Sequence, residues 1–184
     1  SAYGAIGNQY FRYYDKAIAE GITTSGQLSI RWIENKLNKY LNNILKTDDD
    51  YVIASDTDSV YLTMDKLVTK TIKSDNALSK TINFLDKVAS ESIEPYITKS
   101  YDELKQYTNA FANKMFMKRE VIADKGIWVA KKRYILNVWD SEGVSYKEPK
   151  LKMMGIEAVK SSTPAMCRQK IKDALELIMT SDEK

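Results

Sequence analysis

Between about Ala17 and Leu45 the apolar residues Ile30, Ile33, Leu37, Leu41 and Ile44 recur at steps of three and four. That spacing gathers them along one side of an α-helix. The pattern ends at Thr47 and the acidic run Asp48 to Asp50. Two β-prone runs follow, Tyr51 to Ala54 and Val60 to Met64, on either side of Ser55-Asp56-Thr57-Asp58-Ser59, which predicts an antiparallel hairpin with acidic residues at its tip. From Asn76 to about Thr108, Leu78, Ile82, Leu85, Ala89, Ile93, Ile97, Tyr101 and Leu104 return to helical spacing. Pro95 is expected to kink or split that helix.

Lys114 to Ala123 and Ile127 to Val138 are expected to be strands joined by a hairpin loop at Asp124-Lys125-Gly126, with Lys150 to Met154 as a further strand. Thr163-Pro164 has the form of an N-cap followed by proline at the first helical position, opening a helix through Ile171, Leu175 and Ile178. The order helix, hairpin, helix, strands, helix is no βαβ alternation. It predicts an α+β fold, an antiparallel sheet with helices packed on it.

Composition narrows the chemistry. The 184 residues contain no His and one Cys, Cys167. Histidine-ligated metals, Ser-His-Asp triads, Cys-His pairs, internal disulfides and CxxC zinc sites are all excluded, and carboxylates remain as the strong metal ligands. No apolar run approaches the roughly 18 to 20 residues of a membrane span, so the expectation is a soluble protein with no membrane partner. The net charge of +3 hides an asymmetry. Residues 114–133 and 147–172 are each net +5, which leaves the rest of the chain at −7. Two basic stretches on an acidic body suit a polyanion lying near an acidic site, although lysines that only solvate a sheet face would give the same counts.

Asp56 and Asp58 stand one residue apart at the hairpin tip. Alternation would send both to one face, about 6 to 7 Å apart along an extended chain. Oxygen ligands of this kind suit Mg²⁺, which binds through a few carboxylates together with substrate phosphates. A D-x-D turn whose aspartates cap their own backbone is the other reading of the same pattern.

The flanking residues carry more information. Tyr51-Val-Ile-Ala-Ser-Asp56-Thr57-Asp58-Ser59-Val60-Tyr61 resembles motif C of the family B DNA polymerases, and Ser1-Ala2-Tyr3-Gly4 resembles the end of motif B, N-S-x-Y-G. Asn8-Gln9-Tyr10-Phe11-Arg12-Tyr13-Tyr14-Asp15 and Ile22-Thr23-Thr24-Ser25-Gly26-Gln27 follow it. Lys131-Lys132-Arg133-Tyr134 is similar to the family's K-x-Y element, and Lys150 to Pro164 to the junction of palm and thumb. The resemblance is to the branch found in T-even-like phages, of the marine myovirus type.

That resemblance implies an antiparallel palm sheet with packed helices, part of a larger polymerase: the end of the fingers at 1–8, the C-terminal portion of the palm at 9–155, and the start of the thumb at 156–184. It implies nucleotidyl transfer from a dNTP to a primer 3′-hydroxyl with two Mg²⁺ ions, Asp58 being the direct ligand and Asp56 a weaker or indirect one. Glu120 stands where the phage relatives carry an auxiliary acid, or else pairs with Lys118 or Lys132. Lys118 itself replaces a second acid, and Ser55 replaces a glycine. Tyr3 and Gly4 would line the nascent base pair, while Lys131, Lys132, Arg133, Tyr134 and Lys160 would contact primer-template DNA, with minor-groove contacts that check pairing geometry.

The expected partners are an upstream polymerase segment with exonuclease, fingers and motif A, a downstream thumb, and a sliding clamp through the complete enzyme, in the cytoplasm of an infected bacterial host. Motif A, D-x-x-S-L-Y-P, is absent from these residues, so the chain alone is expected to be inactive. A divided gene, an intein junction, a partial reading frame or an engineered piece would each place Ser1 inside motif B. A non-catalytic DNA-binding or scaffolding module derived from a polymerase is the rival, and the intact Asp56-Thr57-Asp58 disfavours it. The aromatic run Tyr10, Phe11, Tyr13 and Tyr14 could stack on single-stranded bases, but core and sheet packing is the expectation.

Overall fold

A computed structural model of the chain describes residues 2–72 and 78–181. Ser1 and Asn76, which open the motif B match and the second helical pattern, lie outside the described residues. The chain divides into two compact units. One holds the described residues up to Ile72 together with Glu91–Met117; the other holds 78–90 together with the described residues from Lys118 onward.

In the first unit a short α1 (Ala2–Ile6) precedes the long α2 (Lys16–Leu45). The Asp15 carboxylate accepts a hydrogen bond from the Ile18 N–H and caps α2, satisfying a donor that the first helical turn leaves open. Lys46, at φ 54°, takes the left-handed conformation that ends it. Ile33, Leu37, Leu41 and Leu45 form the buried stripe of α2, close to the periodicity of the sequence, whereas Ile44 is exposed. α2 packs against α5 (Glu94–Tyr107), whose Ile97, Tyr101 and Leu104 are buried. The Trp32 indole donates to the Ser100 carbonyl at 2.8 Å, and the Tyr40 and Tyr96 rings stack at 4.2 Å.

The acidic hairpin forms as expected from β1 (Val52–Asp56) and β2 (Ser59–Leu62), paired antiparallel with a bulge between Val52 and Ala54. The short α3 (Asp65–Thr71), which the periodicity does not predict, closes a second core in which Leu62, Met64 and Leu67 pack on Leu41, Leu45 and Tyr51. The helical pattern over 76–108 is split, as Pro95 foretold. α4 (Leu78–Val88) ends in a π-helical turn at Ala89–Ile93, and α5 begins with Pro95 in its first turn, where its missing N–H costs no intrahelical bond.

The chain from Lys114 onward corrects several expectations. Lys114 to Glu120 is not a strand; β3 begins only at Val121 and runs unbroken to Ala130. The strand it pairs with, β4 (Arg133–Ser141), ends opposite Val121, so β4 offers no residue opposite 114–120. Nor is Asp124-Lys125-Gly126 a hairpin loop. The chain bulges around Asp124, whose carboxylate accepts from the buried Asn137 amide at 2.9 Å, and continues. Gly126 serves close approach instead of a turn: a Cβ there would lie 2.6 Å from the Trp128 ring and 2.9 Å from Leu136.

The hairpin reverses at Lys131-Lys132. β5 (Val144–Met154) is longer than predicted and completes the order β3-β4-β5. The central β4 is buried at Tyr134, Ile135, Leu136, Asn137, Val138 and Asp140. Ile135 joins Ile156, Ala158 and Met179 in the core that α6 (Ala165–Thr180) covers. Pro164, not Thr163, occupies the cap position of α6, and no side chain caps it.

Candidate active site and nucleic-acid interface

The base of the acidic hairpin is held by two asparagines one turn apart on α2. The Asn38 carboxamide oxygen accepts from the backbone N–H groups of Tyr51 (2.8 Å) and Val52 (3.1 Å), while its amide donates to Asp50 at 2.7 Å. Asn42 donates to the Asp49 carbonyl and accepts from the Asp49 N–H, each at 2.8 Å. Lys66 of α3 pairs with Asp49, and Lys70 donates to the Leu45 carbonyl at the end of α2. The Asp49 carboxyl is held below its ordinary value, first by the Lys66 hydrogen bond.

At the tip, Asp56 pairs with Ser59 across a two-residue turn, Thr57-Asp58. Such turns usually place central residues in the left-handed region, yet Thr57 and Asp58 do not. Asp56 supports the turn, its carboxylate accepting from the Thr57 N–H at 2.8 Å and the Thr57 hydroxyl at 3.1 Å. Asp56 is half-buried and Asp58 exposed. The two aspartates therefore differ: one is engaged in the turn, the other presents its carboxylate outward. Among the described residues no group of three acids, His or Cys gathers that could hold a metal ion. The oxygen-only donor set fits Mg²⁺ as part of a shell completed by other groups.

The basic turn of the second unit is built differently. Lys131 and Lys132 are exposed, and Lys132 adopts φ 61°. Gly155, at φ 64°, passes directly beneath: a Cβ on it would stand 2.2 Å from the Lys132 carbonyl oxygen. Only glycine allows this approach. Arg133 and Lys160 converge on Glu157, which lies in a 3₁₀ turn at Glu157–Val159. One Arg133 Nη donates to both Glu157 oxygens, at 2.6 and 2.5 Å, and Lys160 Nζ to one of them at 3.1 Å. Lys160, then Glu157's own backbone N–H, and the Arg133 charge hold the Glu157 carboxyl below the usual range.

No protein-family profile matches the chain. All of it aligns with two curated proteins, each named a DNA-directed DNA polymerase. It is 45% identical over 193 residues to that of Escherichia phage RB69 and 41% identical over 196 residues to that of Enterobacteria phage T4. Throughout its length the chain resembles a segment of a T4-like family B DNA polymerase. It spans 21% and 22% of those relatives, about a fifth of an enzyme.

The remaining residues singled out by the polymerase resemblance belong to several elements of the two units. Glu120 is exposed just before β3 in the second unit, paired with Lys152 of β5. The hairpin aspartates belong to the first unit. Tyr3 is half-exposed on α1 beside Gly4, and its carbonyl accepts from the Gly7 N–H. Tyr134, next to the basic turn, is buried in β4.

The aromatic run contradicts the packing expectation: Tyr10, Phe11, Tyr13 and Tyr14 are all exposed, Tyr10 at 88%. They follow α1 in a stretch of turns, where the Phe11 and Tyr13 rings meet edge-on, Arg12 lies over the Tyr13 ring and the Asn8 side chain accepts from the Tyr10 N–H. Among the described residues no helix is long and apolar enough to cross a membrane. Asn38, Asn42, Gly155 and Glu157 were not singled out by sequence, because none follows a spacing rule. Only the left-handed turn and the ion pairs reveal the role of the last two.

Proposed function

We propose that this chain is the palm-centred segment of a phage family B DNA polymerase that catalyses template-directed nucleotidyl transfer from a dNTP to a primer 3′-hydroxyl. Residues 1–8 end the fingers, 9–155 form the C-terminal palm and 156–184 begin the thumb. The observation that supports this most is the end-to-end similarity to two proteins named DNA-directed DNA polymerase, together with Asp56-Thr57-Asp58-Ser59 on a two-residue turn.

In this reading Asp58, exposed, is the ligand of Mg²⁺, and Asp56, engaged by Thr57, sets the turn that presents it. Two bound Mg²⁺ ions would stabilise charge on the triphosphate and favour ionisation of the 3′-hydroxyl. Glu120 is an auxiliary acid released from Lys152. Lys131 and Lys132 meet the sugar-phosphate backbone of primer-template DNA, with Arg133 and Lys160 beside them, and Tyr134 supports their turn from the sheet. Tyr3 and Gly4 face the nascent base pair. Upstream exonuclease, fingers and motif A, the rest of the thumb and a sliding clamp complete the machine in the cytoplasm of an infected bacterium.

In the polymerase carrying this segment, Asp58→Ala should lower primer extension by about 10³-fold or more, the loss of several kcal/mol of charge stabilisation. Duplex affinity and folding stability should stay near wild type, because Asp58 is exposed at the turn. Near-normal turnover in a single-turnover extension assay would refute the assignment. Mixing the chain with an upstream fragment carrying motif A and fingers tests the same reading by complementation.

A further inference from the structure

Arg133 and Lys160 come from different elements, the start of β4 and the end of the 3₁₀ turn, yet both reach the one carboxylate of Glu157. Two cations of separate origin focused on a single anion define a preorganised anion site, and the anion in it belongs to the protein. We propose that Glu157 is a resident counter-anion in a phosphodiester subsite of Arg133 and Lys160, and that a phosphate of the DNA backbone takes its place when duplex binds. The proposal rests on the duplex-binding reading above and adds to it which residue must leave.

The exchange is chemically close. A phosphodiester oxygen pair offers the same acceptor geometry as a carboxylate, and an arginine fork accepts either. Glu157 is partly solvated, with its side chain 46% exposed, as are Arg133 at 38% and Lys160 at 46%. The released carboxylate thus moves to water over a short path and no buried charge is stranded. Lys131 and Lys132, exposed on the adjoining turn, give the incoming backbone its first contacts. The Gly155 approach beneath Lys132 keeps that turn fixed on the strand leading to Glu157. A resident anion also explains how two cations are kept ordered in the absence of nucleic acid without a permanent open charge.

The test is the affinity of the 184-residue chain for a short DNA duplex, measured by fluorescence anisotropy across a salt series. Glu157→Gln should bind about 2- to 10-fold more tightly, since two partly exposed ion pairs no longer compete. Its salt slope should stay unchanged, because the same phosphates are contacted in both proteins. Lys160→Gln should bind more weakly, with a slope shallower by about 0.9, one phosphate contact. Equal or weaker binding by Glu157→Gln overturns the exchange, and so does a steeper slope, which would mean that Glu157 never leaves in the wild type.

If Glu157→Gln fails to fold, the wild-type chain decides by NMR: the Glu157 carboxylate carbon and the Arg133 guanidinium nitrogens should shift together on titration with duplex, and unmoved signals overturn the proposal. A chain that binds no duplex in any variant overturns the duplex-binding reading and this proposal with it. A chain weakened by Lys132→Gln yet indifferent to Glu157→Gln keeps the reading and loses only the exchange.

Discussion

The two charged hairpin turns of this chain are positioned by opposite means. The acidic turn, Thr57-Asp58, tops a two-stranded ribbon whose strands are half-exposed, and its shape is set by a hydrogen bond within the turn and by polar side chains of α2 at its base. The basic turn, Lys131-Lys132, joins two strands of a three-stranded sheet with a buried central strand, and it is locked by a glycine just after the third strand and by ion pairs. A two-stranded ribbon needs a packed face to stand in water, and this one has it where Leu62 and Tyr51 meet α2 and α3; three strands over an apolar core can stand alone. The acidic turn is accordingly held through the helices beneath its ribbon, and the basic turn through its own sheet.

The comparison breaks most decisively if the second sheet loses its buried charge network. Arg119 donates to Asp86 of α4 and to Asp140 of β4, each at 2.6 Å, and Asp140 also accepts from the Ser145 hydroxyl and the Gly143 N–H. The side chains of Arg119 and Asp140 are 13% and 4% exposed. Arg119→Ala leaves a buried carboxylate without its cation and should cost about 3–5 kcal/mol in urea denaturation.

The same network has a pH signature. Burial alone would raise the Asp140 carboxyl, but Ser145, Arg119 and Gly143 outweigh it and hold it below the ordinary aspartate range. A depressed carboxyl contributes stability that is complete above its unfolded value and is lost as pH falls through the folded one. The wild-type chain should therefore lose stability progressively below about pH 4, and Asp140→Asn should flatten that acid limb.

Gly155→Ala sharpens the comparison at the turn itself. The left-handed backbone costs about 1–2 kcal/mol for a residue with a Cβ, and overlap with the Lys132 carbonyl should add about 1–3 kcal/mol. Part of this will appear as displacement of the turn, so duplex affinity should fall together with stability. A variant with full stability and full affinity would show that the basic turn is not held from below.

What was legible in the sequence divides along the same line. The acidic hairpin was readable because its information is local: β-prone runs, short polar centre, a recognisable motif; the strands themselves reach further into the polar centre than those runs, to Asp56 and from Ser59, and leave a two-residue turn. The basic turn was misplaced by several residues, because Gly126 resembles a loop residue while serving to admit the Trp128 ring, and no local signal marks Lys131-Lys132 as the reversal. Helices with a strict apolar stripe, α2 and α5, were found; α3 was missed because Val68, Thr69 and Thr71 weaken its intrinsic preference and Leu67 secures it only through packing on α2 and Tyr51. The exposure of Tyr10, Phe11, Tyr13 and Tyr14 could not be read from hydrophobicity, since burial depends on which surfaces the rest of the fold supplies. For the site, residue types were legible, but the counter-charges Glu157 and Lys152 depend on long-range register.

The remaining prediction addresses the base of the acidic ribbon. Asn38 offers one oxygen to two successive N–H groups, those of Tyr51 and Val52, at the point where β1 begins. Alanine there leaves the Tyr51 N–H without that acceptor, while the Val52 N–H keeps the Asp50 carboxylate at 3.2 Å, and an unmet backbone donor in a part-buried position costs about 1–3 kcal/mol. Stability should fall by that amount, less than for Arg119→Ala. The loss should be local, with amide hydrogen exchange accelerating at Tyr51 and Val52 while β4 amides keep their protection. In the polymerase carrying this segment, extension should weaken because the ribbon that presents Asp58 pivots at its foot, and Asn38→Asp, which keeps an acceptor oxygen, should restore part of it. Uniform acceleration across both sheets would mean that the acidic ribbon is no more independent than the basic one, and the contrast between the two turns would then lie in charge alone.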